Sequence, residues 1–324
     1  MQTNRLATAS YMIVTVSPLP LVVMHINFVV GLLSILMVVP IFIMVYYALG
    51  IKWEKSGFYG ITSLVNRKLG LMQLVTWLVS YFLYVVYTCY FIAFYLLDLK
   101  FYPGLLVAFS IFLISSLIIF SGISWLFFIF SAAFQILFML PFGWVFRLSS
   151  APITSQAIFT NVLQSSLLLV CITLVPYWNG RPGDSKLLLI AFAASAFALI
   201  IGGTFLAPSY VIRLASLGYF SLIIAEYNAI NGLARTLLPK VRVSIILFIA
   251  ALAVMLLGTI NVWSFYYYTS GLSIAALYIS LLVAFFSVWW LKRKMVPTVA
   301  FFIAGLILAY GEYTVLLYYL APVL

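Results

Sequence analysis

The sequence predicts an all-α protein that crosses a lipid bilayer many times, as a polytopic transmembrane helical bundle. Hydrophobic residues make up 67% of the 324 positions and charged residues only 6%, whereas soluble domains carry roughly a quarter charged residues. The apolar stretches are about 20 residues long, the length that a helix needs to cross roughly 30 Å of hydrocarbon. They lack the period-two alternation of a transmembrane strand, so we expect helices.

Polar clusters divide the chain into eleven predicted spans. The connections are short, and no linker or low-complexity segment interrupts them, so residues 1–324 are predicted to form one membrane domain. The predicted spans are residues 7–27, 29–50, 71–97, 103–121, 123–146, 157–178, 187–207, 209–231, 243–263, 270–291 and 297–319.

The basic residues predict how these spans are oriented. If the N-terminus is cytoplasmic, thirteen of the 16 Lys and Arg residues fall on the cytoplasmic side, as the positive-inside rule expects. The net charge of +11 therefore needs no nucleic-acid partner, because the basic residues are scattered over loops and form no single patch. We expect a multi-pass protein of the cell membrane with a cytoplasmic N-terminus. The three residues on the outer side are Lys100, Arg147 and Arg213.

Several segments resemble the amino acid–polyamine–organocation (APC) permease superfamily, over residues 10–295. PIFIMVYYALGIKWEKSGFYGITSLVNRKLG, at 40–70, is similar to the end of the family's second helix and its glycine-rich loop, with SGFY in the place of the turn. LMQLVTWLVSYFLYVVYTCYFIAFYL, which follows, looks like the third helix. NGRPGDSK, at 179–186, resembles the polar loop between helices 6 and 7, and SLIIAEYNAINGLARTLLPK, at 221–240, resembles helix 8 and its exit.

The resemblance implies a 5+5 inverted repeat, about 7–146 and 157–291, followed by one extra helix at about 297–319. It also implies a secondary active transporter that moves amino acids or related amines by alternating access, coupled to H⁺ or to a cation such as Na⁺. The first helix of each repeat would be interrupted near the bilayer centre, at the substrate site. The expected partners are a small-molecule substrate, the coupling ion and the lipid bilayer, with no cofactor and no metal site.

The first and sixth spans each contain a segment that fits such an interruption. In the SPLP segment at 17–20, two prolines remove backbone donors and disfavour α conformation at the residue before each. The QSS segment at 164–166 can satisfy an opened backbone, although hydrogen bonding between helices explains it equally well. The candidate substrate-binding residues in these segments are Ser17, Pro18, Leu19, Gln164, Ser165 and Ser166.

Glu226 and Asn228 are the candidate coupling or cation-binding residues. Glu226 lies nine residues before Arg235, which is about 13 Å along a helix and places it near the bilayer centre. A carboxylate at this depth is costly unless it is protonated or paired, so it marks a functional site by default. It would bind a proton, a cation or a substrate amino group. A structural polar network with Asn228 and Asn231 is the competing interpretation.

The third span adds Tyr84, Tyr87 and Thr88 as candidate substrate contacts. Tyr84 and Thr88 share a helix face at i and i+4, and Tyr87 lies nearby. Aromatic packing is an equally good explanation for these residues. Glu312 in the last span is interpreted as an oligomer contact or interfacial residue, and His25 as an interfacial residue.

Two other classes of protein stay open as alternatives. A membrane-embedded enzyme would need a cluster of acids, histidines or metal ligands, but the five acidic residues are spread over the chain, which has one histidine. Cys89 and Cys171 lie in apolar stretches and predict neither a disulfide framework nor a metal site. The protein is therefore predicted not to be an enzyme. The second alternative is a channel, a scaffold or a degenerate permease homologue that does not transport.

Overall fold

The computed structural model describes residues 4–23, 27–146, 168–239 and 241–317. These residues are almost entirely helical, as expected in lipid, where a helix satisfies its own backbone hydrogen bonds. The α-helices of the described ranges are α1 Arg5–Val16, α2 Pro18–Val23, α3 Phe28–Leu49, α4 Gly57–Val65, α5 Arg67–Tyr90, α6 Phe101–Phe120, α7 Ser124–Phe138, α8 Leu188–Thr204, α9 Ser209–Leu237, α10 Val243–Gly258, α11 Val262–Lys292 and α12 Met295–Val315.

Shorter irregular elements connect these helices. A π-helical segment, Phe91–Leu96, continues α5, and 3₁₀ segments cover Cys171–Tyr177 and Pro182–Leu187. Two short strands, β1 Val145–Phe146 and β2 Phe205–Leu206, pair in antiparallel register. The predicted interruption at Gln164, Ser165 and Ser166, like His25, lies outside the described residues.

Eight helical segments of the described ranges are long and apolar enough to cross a bilayer, and each corresponds to a predicted span. The prediction of a polytopic helical bundle is therefore confirmed. The other three predicted spans correspond to shorter apolar helices at Ser124–Phe138, Leu168–Tyr177 and Val243–Gly258. Membrane crossing by these three stays a prediction. The eight segments are Arg5–Val23, Phe28–Leu49, Arg67–Leu96, Phe101–Phe120, Gly183–Thr204, Ser209–Leu237, Val262–Lys292 and Met295–Val315.

Some helix boundaries differ from the sequence prediction. The predicted span 123–146 ends as a helix at Phe138, shortly before Pro141, which has no backbone donor, and Gly143, which has a φ of 74°. The helix predicted at 270–291 begins earlier, because the Asn261 side chain accepts a hydrogen bond from the Ser264 amide and caps α11. The connection between α3 and α5 also contains the short helix α4.

The segment Arg5–Val23 lies at the centre of the bundle. Protein covers 83% of its membrane-crossing window, compared with 28% for Met295–Val315 at the periphery. Close approach of α8 contributes to this burial, since a Cβ added at Gly202 would lie 2.7 Å from the Val22 carbonyl oxygen. The central position allows this segment to carry buried polar side chains such as Thr8 and Thr15.

Polar contacts gather several predicted cytoplasmic loops at one end of the bundle. Arg5 forms an ion pair with Asp184 at 3.3 Å. The Lys292 ammonium donates a hydrogen bond to the Gly50 carbonyl oxygen at 3.4 Å. Each contact therefore joins two of the predicted cytoplasmic loops, and the side of the membrane on which they lie stays a prediction.

Gly57, the first residue of α4, provides a test of packing against the segment Cys171–Tyr177. It has a φ of 50°, and an added Cβ would collide with the Tyr177 ring. We expect Gly57→Ala to cost about 1–3 kcal/mol for overpacking, in addition to roughly 1–2 kcal/mol for left-handed backbone. The measurement is the thermal unfolding midpoint of the purified protein in detergent.

Gly122→Ala is the matched control for this prediction. Gly122 also has a positive φ, 73°, but no atom lies within 4 Å of an added Cβ. The midpoint should therefore fall further in Gly57→Ala than in Gly122→Ala. Equal midpoints in the two variants would contradict tight packing of Gly57 against Tyr177.

Candidate functional site

The first membrane segment is interrupted at Ser17, within the predicted interruption. Ser17 adopts a left-handed conformation with a φ of 44°, outside the right-handed α region that Pro18 disfavours at the residue before it. Its hydroxyl donates a hydrogen bond to the Val14 carbonyl oxygen at 2.9 Å, and its amide donates to the same oxygen at 3.1 Å. Since Pro20 has no amide hydrogen, the Val16 carbonyl loses its usual helical donor. The backbone is therefore irregular in the middle of a membrane segment.

A buried polar chain joins α7 to α9 beside this interruption. A Cβ added at Gly218 of α9 would collide with the Pro20 ring and would lie 3.1 Å from the Gln135 Oε1 atom. Gln135 Nε2 donates a hydrogen bond to the Ser131 hydroxyl at 3.3 Å, and that hydroxyl is hydrogen bonded to Ser221. Gln135 Oε1 has no hydrogen-bond partner among the described residues.

Glu226 is fully buried on α9, eight residues beyond Gly218, or about 12 Å along the helix. Neither carboxyl oxygen has a hydrogen-bond partner within the described ranges. A carboxyl group in this position is costly as a purely structural residue. Its electrostatic neighbours, which we call the Glu226 group, are Tyr11, Tyr81, Tyr84, Tyr87, Cys89 and Cys171.

Two of the tyrosines singled out from the sequence belong to this group. The rings of Tyr81, Tyr84 and Tyr87 follow one another along α5, with centroid distances of 6.4 and 4.9 Å. The Tyr84 hydroxyl lies within hydrogen-bonding range of the Cys171 thiol. Thr88, one turn after Tyr84, is 1% exposed, and its hydroxyl has no partner among the described residues. The structure therefore places Tyr84 and Tyr87 within electrostatic range of Glu226.

A polar cavity of about 470 Å³ opens at the end of the bundle where Asn4 and Asn179 lie. Asn228, Asn231 and Arg235 contribute its α9 wall. These three side chains lie at i, i+3 and i+7, which is one face of the helix. The cavity is large enough for a small molecule, since ligand sites usually measure roughly 300–1,000 Å³.

Three packed aromatic rings link the lining of this cavity to Tyr11 of the Glu226 group. Trp178 lines the cavity, and its ring stacks on Tyr11 at a centroid distance of 4.5 Å. Phe128 packs edge-on against both rings, at 5.1 and 5.8 Å. The Trp178 indole donates a hydrogen bond to the Thr8 hydroxyl at 3.2 Å, which fixes the ring to α1. We call Tyr11, Phe128 and Trp178 the aromatic barrier.

Glu226 and Asn228, which the sequence interpretation groups together as coupling residues, lie in different surroundings. Asn228 lines the cavity, whereas Glu226 is fully buried and does not line it. Residues two apart on an α-helix point about 200° away from each other, so they do not share a face. The two residues therefore belong to different environments in this conformation.

Sequence reasoning missed the barrier and the charges of the cavity. Tyr11, Phe128 and Trp178 come from distant parts of the chain, and no local pattern indicates that they meet. Lys55 and Arg235 line the cavity, but in the sequence they were counted only as loop charges that orient the protein. Their convergence depends on tertiary packing, which places the Lys55 side chain beside Gly232 of α9.

Fold and site together define a polytopic α-helical membrane protein with a buried carboxyl group and a polar cavity. No family model and no curated protein sequence matches this chain. Within the described ranges, no group of three or more His, Cys, Asp or Glu side chains is placed to hold a metal ion.

Cysteine labelling tests the separation of Asn228 from Glu226. In a Cys89→Ala, Cys171→Ala background, we expect Asn228→Cys to react with a water-soluble maleimide at least about tenfold faster than Glu226→Cys, because thiol reactivity depends on access. The rates are measured on purified protein that elutes as a single species from gel filtration. Similar rates at the two positions would contradict a closed barrier.

Proposed function

We propose that the protein is a secondary active transporter of the cell membrane, moving amino acids or related amines by alternating access. Glu226 would bind the coupling proton or cation. The observation that carries this proposal is a fully buried carboxyl group, in a membrane-spanning helix, with no partner among the described residues. Ionisable residues inside a membrane are rare and commonly mark ion or proton pathways.

The interruption at Ser17 gives the second line of support. Interrupted membrane helices that face each other across a repeat commonly form transporter binding sites. The sixth apolar segment, Leu168–Tyr177, leaves α-helical geometry at Cys171, whose thiol is one of the neighbours of Glu226. Both repeats of a 5+5 arrangement would then begin with an irregular segment. Ser17, Pro18 and Leu19 would offer backbone groups to the substrate, together with residues 164–166.

The order of the helices fits this arrangement. The first repeat would contain the interrupted segment α1–α2 together with α3, α5, α6 and α7. The second would contain Leu168–Tyr177 followed by α8, α9, α10 and α11, with α12 as the extra helix. In this interpretation α4 is a short connecting helix between the second and third spans.

The cavity and the aromatic barrier suggest how access would alternate. The cavity is open at the end that carries most basic loops, which the positive-inside rule assigns to the cytoplasm. Passage from the cavity to Glu226 would require Tyr11 and Trp178 to separate and the Trp178–Thr8 hydrogen bond to break. This conformation would then be closed at the barrier and open on its cytoplasmic side.

Uptake into liposomes tests the proposal. Purified protein is reconstituted and offered a pool of labelled amino acids and amines, with an imposed pH or Na⁺ gradient. We expect the wild type to concentrate at least one compound only when the gradient is present. Glu226→Gln should reduce gradient-driven uptake to the level of empty liposomes, because the amide keeps the shape of the side chain but binds no coupling ion.

Glu312→Gln is the matched control, because Glu312 lies on the peripheral helix α12. It should retain gradient-driven uptake. Failure of the wild type to transport any compound of the pool would favour a non-transporting homologue. Unchanged uptake by Glu226→Gln would remove Glu226 from the coupling mechanism.

A further inference from the structure

We infer that the cavity beside Asn228 binds the carboxylate of its substrate and accepts anionic amino acids in preference to amines. The inference rests on the proposed transport function, since it places the cavity on the path of the substrate. Its basis is the charge of the lining. Lys55 and Arg235 both line the cavity, and no acidic residue is among the lining residues.

The acidic residues of the chain leave these two cations uncompensated. All five lie within the described ranges. Glu54 pairs with Lys52 at 3.3 Å, and Asp184 pairs with Arg5 at 3.3 Å. Neither Lys52 nor Arg5 lines the cavity. Two acids at this end of the bundle are therefore engaged by other basic residues. The remaining three, Asp98, Glu226 and Glu312, form no ion pair with a described basic residue.

A hydrogen-bonded chain positions Arg235 in the cavity wall. Its Nε atom donates to the Ser244 hydroxyl at 2.9 Å, and that hydroxyl donates to the Asn231 Oδ1 atom at 2.6 Å. The chain uses only Nε of the guanidinium, so its two terminal nitrogens stay available to a ligand. The Asn231 oxygen accepts the hydrogen bond from Ser244, and its amide nitrogen is a donor that a ligand can use.

Lys55 approaches the same stretch of α9 from the loop before α4. A Cβ added at Gly232 would lie 3.8 Å from the Lys55 Cδ atom, so the lysine side chain packs against α9 at this position. Gly232 and Arg235 are three residues apart and share a helix face. The ammonium, the guanidinium and the Asn231 amide nitrogen are all donors. A carboxylate accepts from charged donors of this kind in short, strong hydrogen bonds.

The remaining lining suits the apolar part of a small organic anion. Trp125, Tyr177 and Trp178 supply aromatic surface, and Ala7 and Ile119 supply aliphatic surface. A diamine would add two positive charges to a wall that already carries two, with no acid to meet them. The cavity therefore discriminates against amines and favours an amino acid with a second carboxylate.

Equilibrium binding to the purified protein in detergent at low salt tests this inference. The probe is labelled L-glutamate, and the unlabelled competitors are L-glutamate, L-glutamine, 1,4-diaminobutane and inorganic phosphate. L-Glutamine is the matched competitor, since it keeps the shape of glutamate and loses one charge. We expect unlabelled L-glutamate to displace the probe at a far lower concentration than L-glutamine, and 1,4-diaminobutane and phosphate to displace it least.

Two charge-removing variants identify the site of binding. Lys55→Gln and Arg235→Gln should each weaken glutamate binding about two- to fivefold, and the double variant about tenfold, as expected for partly exposed charges. Lys68→Gln is the control, because Lys68 lines a different surface pocket with Arg67. Its affinity for glutamate should equal that of the wild type.

The inference is overturned by absence of glutamate binding, by stronger displacement with phosphate or 1,4-diaminobutane, or by wild-type affinity in the double variant. Equilibrium binding needs no transport, so it separates this inference from the proposed function. Glutamate binding without uptake of any compound would count against transport alone. Gradient-driven uptake of amines by a protein that does not bind glutamate would count against the anionic substrate alone.

Discussion

Inside lipid, a polar group of the protein has to find its partner within the protein, and this constraint governs both the fold and the site. It explains why the described membrane segments are helices, which form their backbone hydrogen bonds within the segment. It also explains why the interruption at Ser17 lies in the most buried segment, where neighbouring helices exclude lipid from the opened turn. Glu226 is the corresponding case among the side chains, because its carboxyl group is fully buried and has no hydrogen-bond partner among the described residues. The irregular backbone at Ser17 and the unpaired carboxyl group of Glu226 are therefore two exceptions to the rule that polar groups in lipid are paired within the protein.

The aromatic barrier connects the surroundings of Glu226 to the cavity. Tyr11 belongs both to the barrier and to the surroundings of Glu226, while Trp178 belongs both to the barrier and to the cavity lining. A change in the stacking of these two rings would alter the environment of the acid and the shape of the cavity together. Tyr11 lies on α1, six residues before Ser17, so it belongs to the half of the segment that precedes the interruption.

Local patterns predicted the parts of the structure that depend on single segments. Apolar length predicted the eight long membrane helices, and the effect of Pro18 on the preceding residue predicted the interruption at Ser17. The depth of Glu226 in the bilayer stays a prediction. The early start of α11 was missed because its cap, Asn261, lies inside the predicted span 243–263 and was assigned to the preceding helix. Glu226 and Asn228 lie on opposite faces of α9, as helical geometry requires for residues two apart, and this could have been predicted from the sequence. The aromatic barrier could not have been predicted, because residues 11, 128 and 178 meet only through tertiary packing.

The central position of the first membrane segment also matters for how the protein is assembled. This segment enters the bilayer before the helices that later surround it, so its polar side chains first meet lipid. The hydroxyls of Thr8, Thr15 and Ser17 donate to carbonyl oxygens three or four residues earlier on the same segment, at 3.4, 2.8 and 2.9 Å. Such local bonds need no partner helix. These hydroxyls are therefore hydrogen bonded while the segment is still surrounded by lipid. Packing of α7, α8 and α9 then replaces the lipid contacts of the segment with protein contacts.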